Sequence, residues 1–326
     1  MSPRLSLDEV LCAQESLRPH LRPTPLRASL AAPGVDLRLK LECWQPTGSF
    51  KVRGALHVVG SLDAAARARG VVAASAGNHA LGVAFAAGQL GGTIRATLFV
   101  PRSAPRAKLE KLRRFPVELR EIGETYDDAV GAAQAFERET GATLVHAFED
   151  RRTAAGQGTT ALEVLDECAA PALVLVPVGG GGLLASVATV LKARSPRTRV
   201  VAVQPDASPA LRESLRLGRP LLSYPAAPTL ADGLAGGIGR IAFEHRSLVD
   251  AVVTVSETEI GDAIVALLAA DQVVAEASAA VGVAAVRARK VEADGPVVAI
   301  VTGGNIDAGV LARLLAERYP ESGARP

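Results

Sequence analysis

Short apolar runs rich in Val, Leu and Ile recur along the chain, and longer alanine-rich stretches separate them. The runs at 36–41, 70–74, 96–100, 117–122, 143–146, 172–177, 199–203, 251–255 and 297–302 predict strands. Stretches between them predict helices, for example 78–90, 126–140, 158–168, 257–271 and 280–289. Strands alternating with helices predict an α/β fold whose sheets are mainly parallel. No stretch rich in Gly, Pro or Ser splits the 326 residues and no internal repeat is visible, so one large or two medium domains are expected. The last residues, 321–326, read as a frayed tail.

Composition narrows the picture. Hydrophobic residues make up 48% but aromatics only 3%, so the core must be mostly Ala, Val and Leu. A formal net charge of +2 gives no polybasic signature, and no nucleic-acid partner is expected. The longest apolar runs, such as 263–270, stop well short of the roughly 20 residues of a membrane span. Asp8 and Glu9 stand where a signal peptide would need apolar residues. Cys12, Cys43 and Cys168 are odd in number and form no C-x-x-C pair, which predicts a reduced, cytoplasmic setting.

Candidate chemistry begins at Lys51, which follows Thr47-Gly48-Ser49-Phe50. Burial disfavours the ammonium form and lowers a lysine's pKa. A neutral amine can attack an aldehyde, so a buried lysine suits Schiff-base chemistry. The same string also fits a helix-start lysine whose head reaches solvent. Gly179-Gly180-Gly181-Gly182 lies between a predicted strand and a predicted helix, where converging N–H groups and the helix dipole would cradle a phosphate. Read alone, it is also a flexible turn. Ser75 or Asn78 in Ser75-Ala76-Gly77-Asn78-His79-Ala80 could be no more than a helix cap. Thr302-Gly303-Gly304-Asn305 could be no more than a glycine turn after a strand.

The string Gln45-Pro46-Thr47-Gly48-Ser49-Phe50-Lys51-Val52-Arg53-Gly54-Ala55 closely resembles the cofactor-lysine motif of the fold-type II pyridoxal-phosphate enzymes. Within them it is similar to the threonine/serine dehydratase and serine racemase branch. The other motifs follow in that family's order. The resemblance implies two open, twisted, mainly parallel sheets flanked by helices, as in the tryptophan synthase β-like fold. It implies a large cofactor-binding domain, 1–62 and 150–326, with a small domain, 63–149, inserted. The cleft between them, at the carboxyl ends of the strands, would hold pyridoxal 5′-phosphate.

Residue by residue, the resemblance implies that Lys51 carries the cofactor, with Phe50 beside it, and removes the Cα proton. Gly179, Gly180, Gly181 and Gly182 would bind the phosphate, Asn78 the ring's 3′ oxygen, and the Thr302 hydroxyl the pyridine nitrogen. Gly233 would approach the cofactor through its backbone. Glu276, in Glu276-Ala277-Ser278 where the family has Glu-Pro-Ser, is a cleft residue of open role. Ser75, Ala76, Gly77 and Asn78 would hold the substrate carboxylate, with His79 structural.

Departures from the pattern refine the expectation. Racemases of this branch place a serine where this chain has Ala76, so no second proton donor faces Cα and elimination is favoured. The expected reaction is dehydration and deamination of an L-3-hydroxy amino acid, threonine or serine by default. Leu81 replaces a glutamine frequent in dehydratases and opens the alternative of a bulkier substrate such as phenylserine. Serine racemase and a non-catalytic cofactor-binding protein are the remaining alternatives. Relatives with a divalent cation use a glutamate and an aspartate where this chain has Gln204 and Ala210, so no metal is expected. His20, His57, His146 and His245 show no metal-ligand spacing. The partners expected are a small amino acid and further copies of the chain, as a homodimer or homotetramer.

Overall fold

The computed structural model describes residues 4–90, 94–104 and 106–319; the expected frayed end at 321–326 lies outside them. Among the described residues ten strands form two sheets: β1 (Leu26–Ala28), β2 (Leu37–Lys40), β3 (Val71–Ala74), β4 (Ala96–Val100), β5 (Glu118–Glu121), β6 (Thr143–Leu144), β7 (Leu173–Pro177), β8 (Arg199–Pro205), β9 (Ala251–Val255) and β10 (Val297–Ile300). The larger sheet has the order β1-β2-β10-β7-β8-β9 and the smaller β5-β4-β3-β6. β1 runs antiparallel to β2, and every other pairing is parallel. This is the expected α/β fold of two mainly parallel sheets.

Burial explains the strand sequences. Every residue of β3, β4, β7 and β10 is buried. A parallel sheet covered by helices on both faces favours such unbroken apolar runs over alternation. β5, at an edge of the smaller sheet, carries Glu118, Arg120 and Glu121 instead. Charges on an edge strand discourage pairing with another chain.

Two differences from the predicted elements bear on the site. The helix predicted at 158–168 begins earlier, as Arg151–Glu167, capped by the Asp150 side chain. Glycine interrupts its first half, but a Cβ on Gly156 would stand 2.6 Å from the Gly54 Cα. The glycines therefore let this helix press against helix Lys51–Gly60, whose first residue is the candidate lysine. The strand predicted at 143–146 stops at Leu144. Val145 N–H still bonds Val72 O, and the chain then leaves the sheet as His146, Ala147 and Phe148, which reach Lys51 and Gly180. Among the described residues no helix is long and apolar enough to cross a membrane.

Candidate active site

The carboxyl ends of strands from both sheets deliver the motifs. β3 leads into Ser75, β7 into Gly179, β10 into Thr302, and β6 into Ala147. The lysine segment is fastened to the segment after β10 by backbone. Phe50 N–H donates to Thr302 O at 3.0 Å, Gly304 N–H to Gly48 O at 2.9 Å, and Ser49 bridges Gly303. Lys51 and Thr302 are therefore held together by main chain rather than by side-chain choice.

Lys51 is partly exposed to the cleft, and its Nζ donates to Ala147 O at 3.1 Å. The amine also lies 5.1 Å from the centroid of the Phe50 ring. It forms no ion pair among the described residues. Loss of hydration pulls its pKa down to about 8, against a weaker upward pull from the Glu276 carboxylate. Near neutral pH a usable fraction is free amine.

Glu276 faces the same space. Burial pushes its carboxyl up to about 7, although the Asn78 amide stabilises the ionised form. Asn78 Nδ2 donates to Glu276 Oε1 at 2.6 Å, and Asn78 Oδ1 accepts from Asn305 Nδ2 at 2.8 Å. Asn305 also donates to Thr47 O at 2.9 Å and accepts from Lys111 Nζ at 3.4 Å. Asn78 is thus oriented by two neighbours. Ser75 Oγ accepts from Gly77 N–H at 3.1 Å, shaping the turn that presents residues 75–78. His79 Nε2–H donates to Val145 O at 2.7 Å. Burial lowers its pKa to about 3, so the ring stays neutral and holds the helix start in place.

The tetraglycine loop enters helix Gly182–Arg194. Gly181 has φ +83°, a left-handed conformation that glycine adopts without strain. Among the described residues, none of the four N–H groups of Gly179–Gly182 donates to a protein acceptor. Phe148 packs on Gly180 while its neighbour Ala147 accepts from Lys51, so one short segment joins the loop to the lysine. Gly233 comes in from the other side: its N–H donates to Ser278 Oγ at 3.1 Å, and its carbonyl lies over Gly179.

Lys51, Phe50, Asn78, Glu276, Thr302, the turn 75–77 and the glycine loop with Gly233 are therefore brought together. Leu81 is buried, 8% exposed, in the apolar cluster that includes Val52, Ala55 and Val83 and against which Ala76 also packs. Its burial leaves little of it open to a substrate. Sequence reasoning gave Asn305 no role of its own within its motif, and missed Ala147, Phe148 and the Lys108–Asp232 ion pair that crosses to the Gly233 loop.

These groups fit pyridoxal phosphate. Four free N–H groups at a helix start suit a phosphate dianion. Ser49 Oγ is fully buried without a partner, and the buried Thr302 makes no side-chain hydrogen bond among the described residues. A lysine titrating near 8 suits an aldehyde. Among the described residues no group of three or more His, Cys, Asp or Glu is placed to hold a metal.

Comparison with known proteins agrees with this chemistry. The family described as pyridoxal-phosphate dependent enzyme matches residues 17–303, and the chain belongs to that family. The L-threonine ammonia-lyase of Thermotoga maritima is 42% identical over 327 residues, covering 98% of this chain and 80% of that protein. The structure of maize serine racemase matches with a TM-score of 0.89 at 32% identity, covering 97% of this chain and 98% of that one. The crystal structure of the T.th. threonine deaminase matches with a TM-score of 0.86 at 37% identity, covering 93% of this chain and 99% of that one. The chain is a pyridoxal-phosphate-dependent enzyme.

Proposed function

We propose that the enzyme is an ammonia-lyase that dehydrates and deaminates an L-3-hydroxy amino acid, threonine or serine, to a 2-oxo acid and ammonia. The observation that carries this reading is the placement of Lys51: its amine has no ion pair among the described residues and donates to Ala147 O, and its segment is fastened by backbone to Thr302–Gly304. Pyridoxal phosphate supplies an aldehyde and an electron-withdrawing ring that stabilises negative charge at the substrate Cα. The protein does the rest. The N–H groups of Gly179–Gly182 would hold the phosphate, the Thr302 hydroxyl would partner the ring nitrogen, and Asn78, fixed by Glu276 and Asn305, would partner the ring oxygen. Ser75 and the N–H groups of its turn hold the substrate carboxylate. Lys51 Nζ takes the Cα proton. Phe50 and Phe148 keep water from the reacting atoms.

Ala76 decides between elimination and racemisation. Racemisation needs a proton donor on each face of Cα, and a methyl group supplies none. We read residues 63–149 as a small domain inserted between 1–62 and 150–326, because all strands of the smaller sheet fall within 71–144. A cytoplasmic homodimer or homotetramer completes the reading. The test is release of 2-oxo acid from serine, threonine, 3-hydroxyaspartate and phenylserine, with chiral analysis of recovered serine. Deamination should exceed D-serine formation by about 100-fold, the lower range of a general acid's contribution. D-serine appearing as fast as oxo acid would overturn the assignment.

A further inference from the structure

Gln204 is a fully buried amide near the end of β8 whose hydrogen-bonding positions are all taken by backbone. Nε2 donates to Val178 O and to Ser208 O, each at 3.3 Å. Oε1 accepts from Leu211 N–H at 3.0 Å and Arg212 N–H at 3.3 Å. A carboxamide offers two donors and two acceptor positions, so this one is saturated.

Its partners belong to different pieces of the site. Val178 is the residue before the tetraglycine loop. Leu211 and Arg212 lie in the first turn of helix Ala210–Leu217, whose cap position is Pro209 and makes no side-chain cap. Gln204 supplies the missing cap oxygen. Ser208 Oγ in turn accepts from Gly236 N–H at 3.1 Å, which carries the connection into the Gly233 loop. A Cβ on Gly179 would stand 2.9 Å from Gly233 O, so that loop is the opposite wall of the cradle.

We propose that Gln204 is a positioning residue of the phosphate cradle. In a planar trans peptide the C=O and the following N–H point in opposite directions. Fixing Val178 O therefore fixes the direction of Gly179 N–H, the first of the four. The other anchors of this stretch are backbone bonds, Val178 N–H to Val203 O and Gly239 N–H to Gly180 O, both 2.9 Å. Gln204 adds the side-chain anchor that ties the loop to both its neighbours. The inference rests on the glycine loop being the phosphate holder.

Gln204→Leu, Gln204→Glu and Ser214→Ala separate this role from general stability. Gln204→Glu keeps an oxygen for Leu211 and Arg212 but loses both donors. Ser214 Oγ donates to Ala210 O on the same helix and accepts from Leu221 N–H beyond it, and none of its hydrogen bonds reaches Val178 or Gly179–Gly182. Apoprotein of each is titrated with pyridoxal phosphate and with phosphate-free pyridoxal, alongside thermal unfolding. Both Gln204 variants should lose about tenfold or more of the preference for the phosphate-bearing form, the equivalent of one hydrogen bond, while pyridoxal affinity is unchanged. Ser214→Ala should lower Tm and leave the preference intact. An unchanged preference in both Gln204 variants, or an equal loss in Ser214→Ala, would overturn the proposal. If the wild-type protein itself showed no preference for the phosphate, the reading of the loop would fail instead.

Discussion

Lys40 and Lys51 sit in opposite electrostatic surroundings. Lys40 is fully buried and contacts Glu163 at 2.6 Å and Thr24 O. Beside it the Arg53 guanidinium spans Glu42 and Glu163, with contacts of 2.7 Å to each. Burial alone would raise the Glu42 carboxyl, but Arg53 and then Lys40 hold it below the usual range. Arg53 is raised in turn by the two carboxylates despite its burial. Lys51, on the same helical turn as Arg53, has one carbonyl and no carboxylate in contact, and its pKa falls to about 8. Glu276, across the cleft, rises to about 7. The cluster around Arg53 pairs every charge it buries, whereas Lys51 and Glu276 have no partner of opposite charge in contact and are the groups left near neutrality, where they can take part in chemistry.

The comparison breaks first at Lys51. Lys51→Ala should lower kcat by about 10⁴-fold or more, as loss of a group acting at the reacting atoms does. Urea unfolding of the apoprotein should hardly change. A Lys40→Ala enzyme with equal loss of kcat and full stability would erase the distinction. The converse holds at Arg53. Arg53→Met leaves Glu42 and Glu163 buried without their shared guanidinium and should cost about 3–5 kcal/mol in urea unfolding. A cost under about 1 kcal/mol, the range of exposed pairs, would mean the cluster does not hold the fold.

Glu276 sharpens the contrast through pH. Its folded pKa, about 7, lies above the ordinary 4.5. Between those values the unfolded chain has lost the proton and the folded one retains it, so stability falls as pH rises. The loss is at most about 3 kcal/mol across the window. Apoprotein carrying Glu276→Gln should lack this slope; an identical pH profile would show that Glu276 ionises normally. The smallest effect concerns metal. Gln204 is saturated by backbone and Ala210 offers no carboxylate, so chelation with EDTA should leave activity unchanged. A reversible loss restored by Mg²⁺ or Ca²⁺ would contradict this.

Legibility in the sequence followed locality. Gly179–Gly182 and Ser49-Phe50-Lys51 could be read because their chemistry needs consecutive residues. The contact of Lys51 with Ala147, 96 residues away, has no local signal, nor has that of Asn78 with Asn305, 227 residues away. Both depend on strands from the two sheets ending at one cleft. The ion cluster around Arg53 was hidden because Lys40, Glu42 and Glu163 look like ordinary surface charges until the helices pack. Gly156 lay outside the helix expected at 158–168, because the need for a small residue against Gly54 shows only once the two helices pack. Leu81, one helical turn past Asn78, is mostly buried in an apolar cluster, which spacing alone does not reveal.

The most direct measurement is borohydride reduction of the holoenzyme followed by peptide mapping. Reduction fixes the cofactor to whichever amine carries it. The added mass is expected on the peptide containing Lys51, with Lys40 unmodified. Label on Lys40, or on any lysine other than Lys51, would contradict the claim that the unpaired lysine is the one that does the chemistry.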